Sequence, residues 1–289
     1  MHQRKPDKDY LDFNVEPLET REMLAVALSF NPNSGLLKVS GDAASDLVFV
    51  DGRGFMGGIE VFYNGVIEGQ YRGVNKVKVN MGAGDDQVII RTLQIGGSLT
   101  ANMGTGQDEL SIDLIGSIRP VFVGSHVTVN MGGNEGDLFK FRGSPTYGAS
   151  VGGNVKVVGA AVALFGFDSG DSFFAADDVS IGGNLTVQLK ASTGAPIIGL
   201  TNINVGGVTT LKGTALDDDV SITDSTFARR VAINLGAGDD FLEADITGDY
   251  NRFHGKVKIN GGRGNDTFDN STSNFFSFAV GLVSVENVI

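Results

Sequence analysis

The chain has 289 residues, with 42 glycines, 6 prolines, 19 phenylalanines and neither cysteine nor tryptophan. The glycines do not fall every third residue, which excludes collagen, and a hydrophobic share of 41% excludes a disordered chain. A net charge of −12 repels phosphate backbones and anionic lipid, so nucleic acid is not expected as a partner. The missing cysteines exclude disulfides, thiolate catalysis and thiolate zinc sites.

The first segment, residues 1–29, is charged and carries only a short apolar tail from Met23. It fits a leader or targeting segment better than a secretory signal peptide. Within it, Val15-Glu16-Pro17-Leu18-Glu19-Thr20-Arg21-Glu22-Met23-Leu24-Ala25 resembles the LEPR-type motif at the start of many bacterial surface and exported proteins, with Met23 in place of the usual leucine. Nowhere does an apolar run reach the ~18–20 residues of a membrane helix. Residues 30–76 come next. Leu37-Lys38-Val39-Ser40 leads into Asp46, and IEVFYNGVIEGQY (Ile59–Tyr71) places Asn64-Gly65 between two alternating strands, a strong hairpin signal. This segment is expected to cap the structure that follows.

From residue 77 the chain repeats itself. Apolar–polar–apolar starts at Val77, Leu99, Val127, Val155, Leu185, Val208, Val231 and Val257 each fit a half-buried strand. Most are preceded by glycine. An aspartate follows nine residues on at Asp86, Asp108, Asp240 and Asp266, and ten on at Asp137 and Asp218. A unit of twenty-odd residues with variable loops, each carrying the same turn chemistry, predicts a coil that cannot bury its own apolar face. The expected fold is all-β: a right-handed parallel β-solenoid of about eight coils over residues 77–289, with an N-terminal hairpin cap.

The turns themselves carry the chemistry. GGRGNDTFD (Gly261–Asp269) fits the nonapeptide G-G-x-G-x-D-x-U-x at every fixed position, and MGAGDDQVI (Met81–Ile89), MGTGQDELS (Met103–Ser111) and LGAGDDFLE (Leu235–Glu243) fit all but its first glycine. These turns resemble the RTX, or haemolysin-type, calcium-binding repeats. The resemblance implies calcium held between stacked turns. Its ligands would be Asp86, Asp108, Asp218, Asp240 and Asp266, with carbonyls from Gly82, Gly84, Gly104, Gly106, Gly236, Gly238, Gly262 and Gly264. The chemistry is intelligible on its own terms, because calcium takes about 6–8 hard oxygen ligands and glycine lets a turn aim its carbonyls. The chain departs from the family in having one such turn per coil. Its column is also interrupted: MGGNEGDLF (Met131–Phe139) and FGFDSGDSF (Phe165–Phe173) carry an inserted residue, and KASTGAP (Lys190–Pro196) has no acid.

Two other readings stand beside this one. Gly-Asp corners can be metal-free turn chemistry, with aspartate capping backbone N–H groups and Asn80, Asn102, Asn130, Asn234 and Asn260 stacking as a ladder. Alternatively, a carbohydrate-active β-helix, a lyase or glycosidase, would use Asp217-Asp218-Asp219, Asp239-Asp240 and Arg229-Arg230. Gly170-Asp171-Ser172 reads as repeat-turn chemistry rather than as a hydrolase box, and His2, His126 and His254 are out of register for a shared metal site. The expectation from sequence is a non-enzymatic, calcium-binding, secreted or cell-surface bacterial β-solenoid in a structural or adhesive role, partnered by surface or matrix polysaccharide or by protein.

Overall fold

The computed structural model describes residues 26–112, 120–133, 136–143, 148–166, 179–191, 193–244, 250–270 and 274–289. The LEPR-like stretch lies outside these, and so do His2 and Asp171.

The described residues form strands without any helix, gathered in three sheets of eleven, twelve and eight strands. Each coil visits the sheets in turn. In the coil that starts at residue 76, Lys76–Ala83 lies in the first sheet, Gln87–Arg91 in the second and Gln94–Ile95 in the third. The next coil repeats this with Leu99–Thr105, Glu109–Ile112 and Phe122–Val123, and all three strands pair in parallel with those of the coil before. Eight such triplets follow one another, which is the parallel β-solenoid expected from the repeat. The third, short strand was not anticipated. It is only two or three residues long in each coil, as in Gln94–Ile95 and Phe122–Val123, too short to establish a period of two.

Alternation sends one side chain in two to the interior. Val77, Val79 and Met81 are buried, and Leu99, Ala101 and Met103 stack directly on them. This continuous core is what stabilises coils that could not fold singly. It includes aromatic clusters: Phe139, Phe141 and Phe165 meet in the middle of the second sheet, while Phe227, Phe253 and Phe276 stack nearly flat along the third.

One expected start is displaced. Leu185 pairs with Thr209, and Thr209 with Val231, so the coil begins at Thr209 and not at Val208. A one-residue slip exchanges inside for outside. Here a buried threonine holds a position that is aliphatic in neighbouring coils, and the apolar Val208 beside it imitated the pattern. Corrected, Asp218 is nine residues from its strand start like Asp86, Asp108, Asp240 and Asp266, and Asp137 alone stays at ten.

The cap is present, and Asn64 and Gly65 both have positive φ, as a tight hairpin turn demands. Ile59–Tyr63 pairs antiparallel with Leu47–Gly52 and with Val66–Tyr71. Ala27–Asn31 covers the end of the first sheet, also antiparallel, so residues 27–29 of the expected leader are strand. Leu36–Ser40 and Leu47–Gly52 already pair in parallel with the following coil, so the solenoid sheets begin inside the expected cap segment.

Candidate metal centre

The turn between the first and second sheets recurs once per coil, and parallel register stacks its last residue into a column. From the N-terminal end this column reads Asp46, Asp86, Asp108, Asp137, Ala161, Pro196, Asp218, Asp240, Asp266, Glu286. All five aspartates expected as ligands stand in it. Asp46, Asp137 and Glu286 belong to it as well. The first two were legible as acids at the right offset, whereas nothing in the glycine-poor final coil marked Glu286.

The interruption differs from the expected one. The coil after Asp137 turns at Gly159-Ala160-Ala161, and Val162 pairs with Leu138, so Ala161 holds the acid position. FGFDSGDSF therefore follows the second-sheet strand that ends at Phe165, and Asp171 is not the repeat acid. The next coil places Pro196 there, since Ile197 pairs with Asp219.

The carboxylates are buried: Asp86, Asp108, Asp240 and Asp266 are each 1% exposed. One oxygen has the same task in coil after coil. Asp86 Oδ1 accepts the N–H of Asp46 at 2.9 Å, Asp108 Oδ1 that of Asp86 at 3.0 Å, and Asp137 Oδ1 that of Asp108 at 3.0 Å. Beyond the gap, Asp240 Oδ1 accepts from Asp218, Asp266 Oδ1 from Asp240, and Glu286 from Asp266. This is backbone capping handed from coil to coil.

The second oxygen divides the column. Oδ2 of Asp46, Asp137 and Asp218 accepts the N–H four residues earlier in its own turn, from Asp42, Gly133 and Thr214. Oδ2 of Asp86, Asp108, Asp240 and Asp266 is buried with no hydrogen-bond partner. Those four turns are the ones built on a glycine–any–glycine pair. Gly82, Gly84, Gly104, Gly106, Gly236, Gly238, Gly262 and Gly264 all have φ between 106° and 141°. Such a backbone departs from the turns in which the early N–H reaches Oδ2. The four also form two adjacent pairs, Asp86 with Asp108 and Asp240 with Asp266, each flanked by acids whose Oδ2 is satisfied in its own turn or, at Glu286, by the last acid of the column; Asp46 keeps an unpartnered Oδ1.

The glycines serve packing too. A Cβ on Gly104 would overlap the Gly82 carbonyl, and one on Gly262 the Gly236 carbonyl, so these carbonyls point into the space between coils. Strands run straight through the turns here, with Gly82 opposite Gly104 and Gly236 opposite Gly262. An outer ladder flanks the column: Gln107 donates its N–H to Asp85, Asp239 to Asp217 and Asn265 to Asp239. Asparagines pair beside it, Asn130 to Asn102 and Asn260 to Asn234.

Burial dominates the electrostatics. It pushes the Asp86 and Asp240 carboxyls up to about 7 against an opposing backbone hydrogen bond, and the neighbouring aspartates push them further. Asp108 and Asp218 rise to about 6 for the same first reason. Met81, Met103 and Leu235, buried at the first position of their turns, supply apolar surroundings. Among the described residues, no three acids or histidines converge to enclose an ion from side chains alone. The acids lie in a line.

The acid and arginine groups considered for glycan cleavage are not brought together. Arg229 and Arg230 precede the strand Val231–Ala237, whereas Asp239 and Asp240 follow it, about 20 Å away at strand rise. His126 is engaged at a different corner, where its Nδ1 accepts the N–H of Asn154. Comparison with protein families, with curated proteins and with solved structures finds no match for this chain.

Proposed function

We propose that this chain is a non-catalytic β-solenoid of the bacterial cell surface or extracellular medium, whose coils are locked in pairs by calcium at Asp86/Asp108 and at Asp240/Asp266. The reading rests on one observation: four buried Oδ2 atoms without partners, stacked in two adjacent pairs, in the four turns of the glycine–any–glycine type, while Asp46 at the head of the column lacks a partner only at Oδ1. A buried ionised oxygen with no donor is costly, by several kcal/mol at the least. A cation between coils removes that cost. Strands about 4.8 Å apart place stacked oxygens at twice a calcium–oxygen distance of about 2.4 Å. Backbone carbonyls facing the gap and water would complete the shell. A bound ion supplies charge compensation and stability only, because it favours the coiled chain over the open one. Extracellular calcium modules bind at about 10⁻⁴–10⁻³ M, in keeping with a scaffold that sets outside the cell.

The test is thermal unfolding followed by circular dichroism, in chelator and then in millimolar calcium. The midpoint should rise with calcium, and replacing Asp240 and Asp266 together by Asn should remove a large part of that rise. Asp218→Asn, which loses a satisfied hydrogen bond instead, should lower the midpoint yet keep the calcium increment. Equal midpoints with and without calcium in the native protein would refute the reading and leave metal-free corners.

A further inference from the structure

The first sheet carries a feature that the calcium reading does not use. None of its eleven strands contains an aspartate or glutamate, in a chain that has 34 of them. One outward column holds Lys38, Lys78, Thr100, Thr128, Lys156, Thr186, Thr210, Ala232 and Lys258, and Lys212 stands in the column beside it. At the C-terminal end, Arg230, Lys256 and Lys258 border a groove of about 590 Å³, whose other walls include Phe278, Leu282 and Val283. Its floor is low because the two smallest residues of the central outward column, Ala232 and Gly281, lie on either side of Lys258. Gly281 is not forced by packing. A Cβ there would meet only the Val257 carbonyl, at 3.7 Å. Among the described residues none of the three cations forms an ion pair.

We infer that this groove and the acid-free sheet running from it bind an anionic polysaccharide. The three unpaired cations supply the charge that a carboxylated or sulfated sugar lacks in water. Phe278, half exposed at 50%, with Leu282 and Val283, offers an apolar wall for the C–H face of a sugar ring. Beyond the groove, the hydroxyls and amides of Thr210, Thr186, Asn234 and Gln188 are suited to a chain of hydroxyls. A single-stranded nucleic acid is matched less well, since it calls for a row of stacking aromatics. The outward positions from Lys38 to Lys258 contain no Phe, Tyr or Trp. This inference does not depend on the calcium sites, which lie in the turn beyond the far end of these strands.

The test uses the whole chain, with chondroitin sulfate as probe, neutral dextran and oligothymidylate as controls, and titration calorimetry in millimolar calcium at several salt concentrations. Chondroitin sulfate should bind and dextran should not. Lys256→Gln with Lys258→Gln should weaken binding and lower the slope of log K against log salt by about 2, one per cation removed. Gly281→Leu, which fills the groove without touching a charge, should weaken binding at unchanged slope, while Lys38→Gln at the far end should change affinity far less. Circular dichroism of each variant identifies any that fails to fold, and the two groove variants fail for different reasons. Binding to dextran as strong as to chondroitin sulfate would overturn the inference. So would tighter binding of oligothymidylate, or affinity indifferent to both groove variants.

Discussion

Stripping calcium and raising the pH should destabilise this protein, and the acid column sets the window. Asp86 and Asp240 have carboxyls raised to about 7 from a usual 3.8. The folded state therefore holds their protons more tightly than the unfolded chain does. Their contribution to stability is full at acid pH and is lost as pH climbs through that interval. Three pK units correspond to roughly 4 kcal/mol for each group, and Asp108 and Asp218, raised to about 6, add roughly 3 kcal/mol each. Ionising Asp86, Asp108, Asp218 and Asp240 in the folded chain is therefore unfavourable, and a proton or a cation relieves it. Urea unfolding in chelator should show the midpoint falling steadily between about pH 4 and about pH 7, and millimolar calcium should flatten that fall by replacing the protons. A chelator profile that is flat, or that rises across the window, would refute the reasoning, because it would mean carboxylates already ionised and satisfied.

Three further outcomes are expected. Gly262→Ala puts a Cβ against the Gly236 carbonyl at φ +117°, so it should cost about 1–3 kcal/mol or more in chemical denaturation, whereas Gly281→Ala should be nearly neutral. Thr209→Val removes a buried hydroxyl that has no partner from an otherwise aliphatic column, and it should stabilise by about 1 kcal/mol in the same assay. Because coils couple mainly to their neighbours, calcium should slow amide hydrogen exchange in the coils of Asp86 and Asp108 and in those of Asp240 and Asp266. Exchange in the strands Val155–Val158 and Leu185–Gln188 should change little, and a uniform gain in protection would count against paired sites.

Much of the architecture was legible because a solenoid writes its fold once per coil. Inward positions recur as Val77, Leu99, Val127, Val155, and the acid offset recurs at Asp86, Asp108, Asp240 and Asp266. Where legibility failed, a local signal outweighed the register. Val208 beside the buried Thr209 is the apolar residue a pattern search prefers, and only pairing with Leu185 and Val231 shows that it faces outward. The phrase FGFDSGDSF resembles an acid turn, yet the strand Val162–Phe165 has already used that coil's second-sheet position. The short third strands, such as Gln94–Ile95 and Phe122–Val123, are too short to establish a period and are held by parallel pairing with the coils beside them, Phe122–Val123 lying between Gln94–Ile95 and Ala149–Val151. The acid-free first sheet was written in the sequence too, but it emerges only when residues spaced by a variable loop are aligned across coils.

The division of the acid column follows from how few residues decide the fate of a second carboxylate oxygen. At Asp218, the turn Thr214-Ala215-Leu216 offers Oδ2 both the N–H and the hydroxyl of Thr214. At Asp240 and Asp266, two glycines with positive φ keep the chain in ladder register with the neighbouring turn, and Oδ2 is left without a donor. Aspartate alone thus caps the coil before it, which is a purely structural task that Asp137 also performs. The glycine pair adds the unmet oxygen, and two such turns in succession place two of them in one inter-coil gap. Ala161 and Pro196 then separate the pairs by coils with no charge in the column, so that charge built up at one pair is not carried to the other. Glycine spacing, more than the acid itself, is what distinguishes a turn with an unmet Oδ2 from a turn that satisfies it.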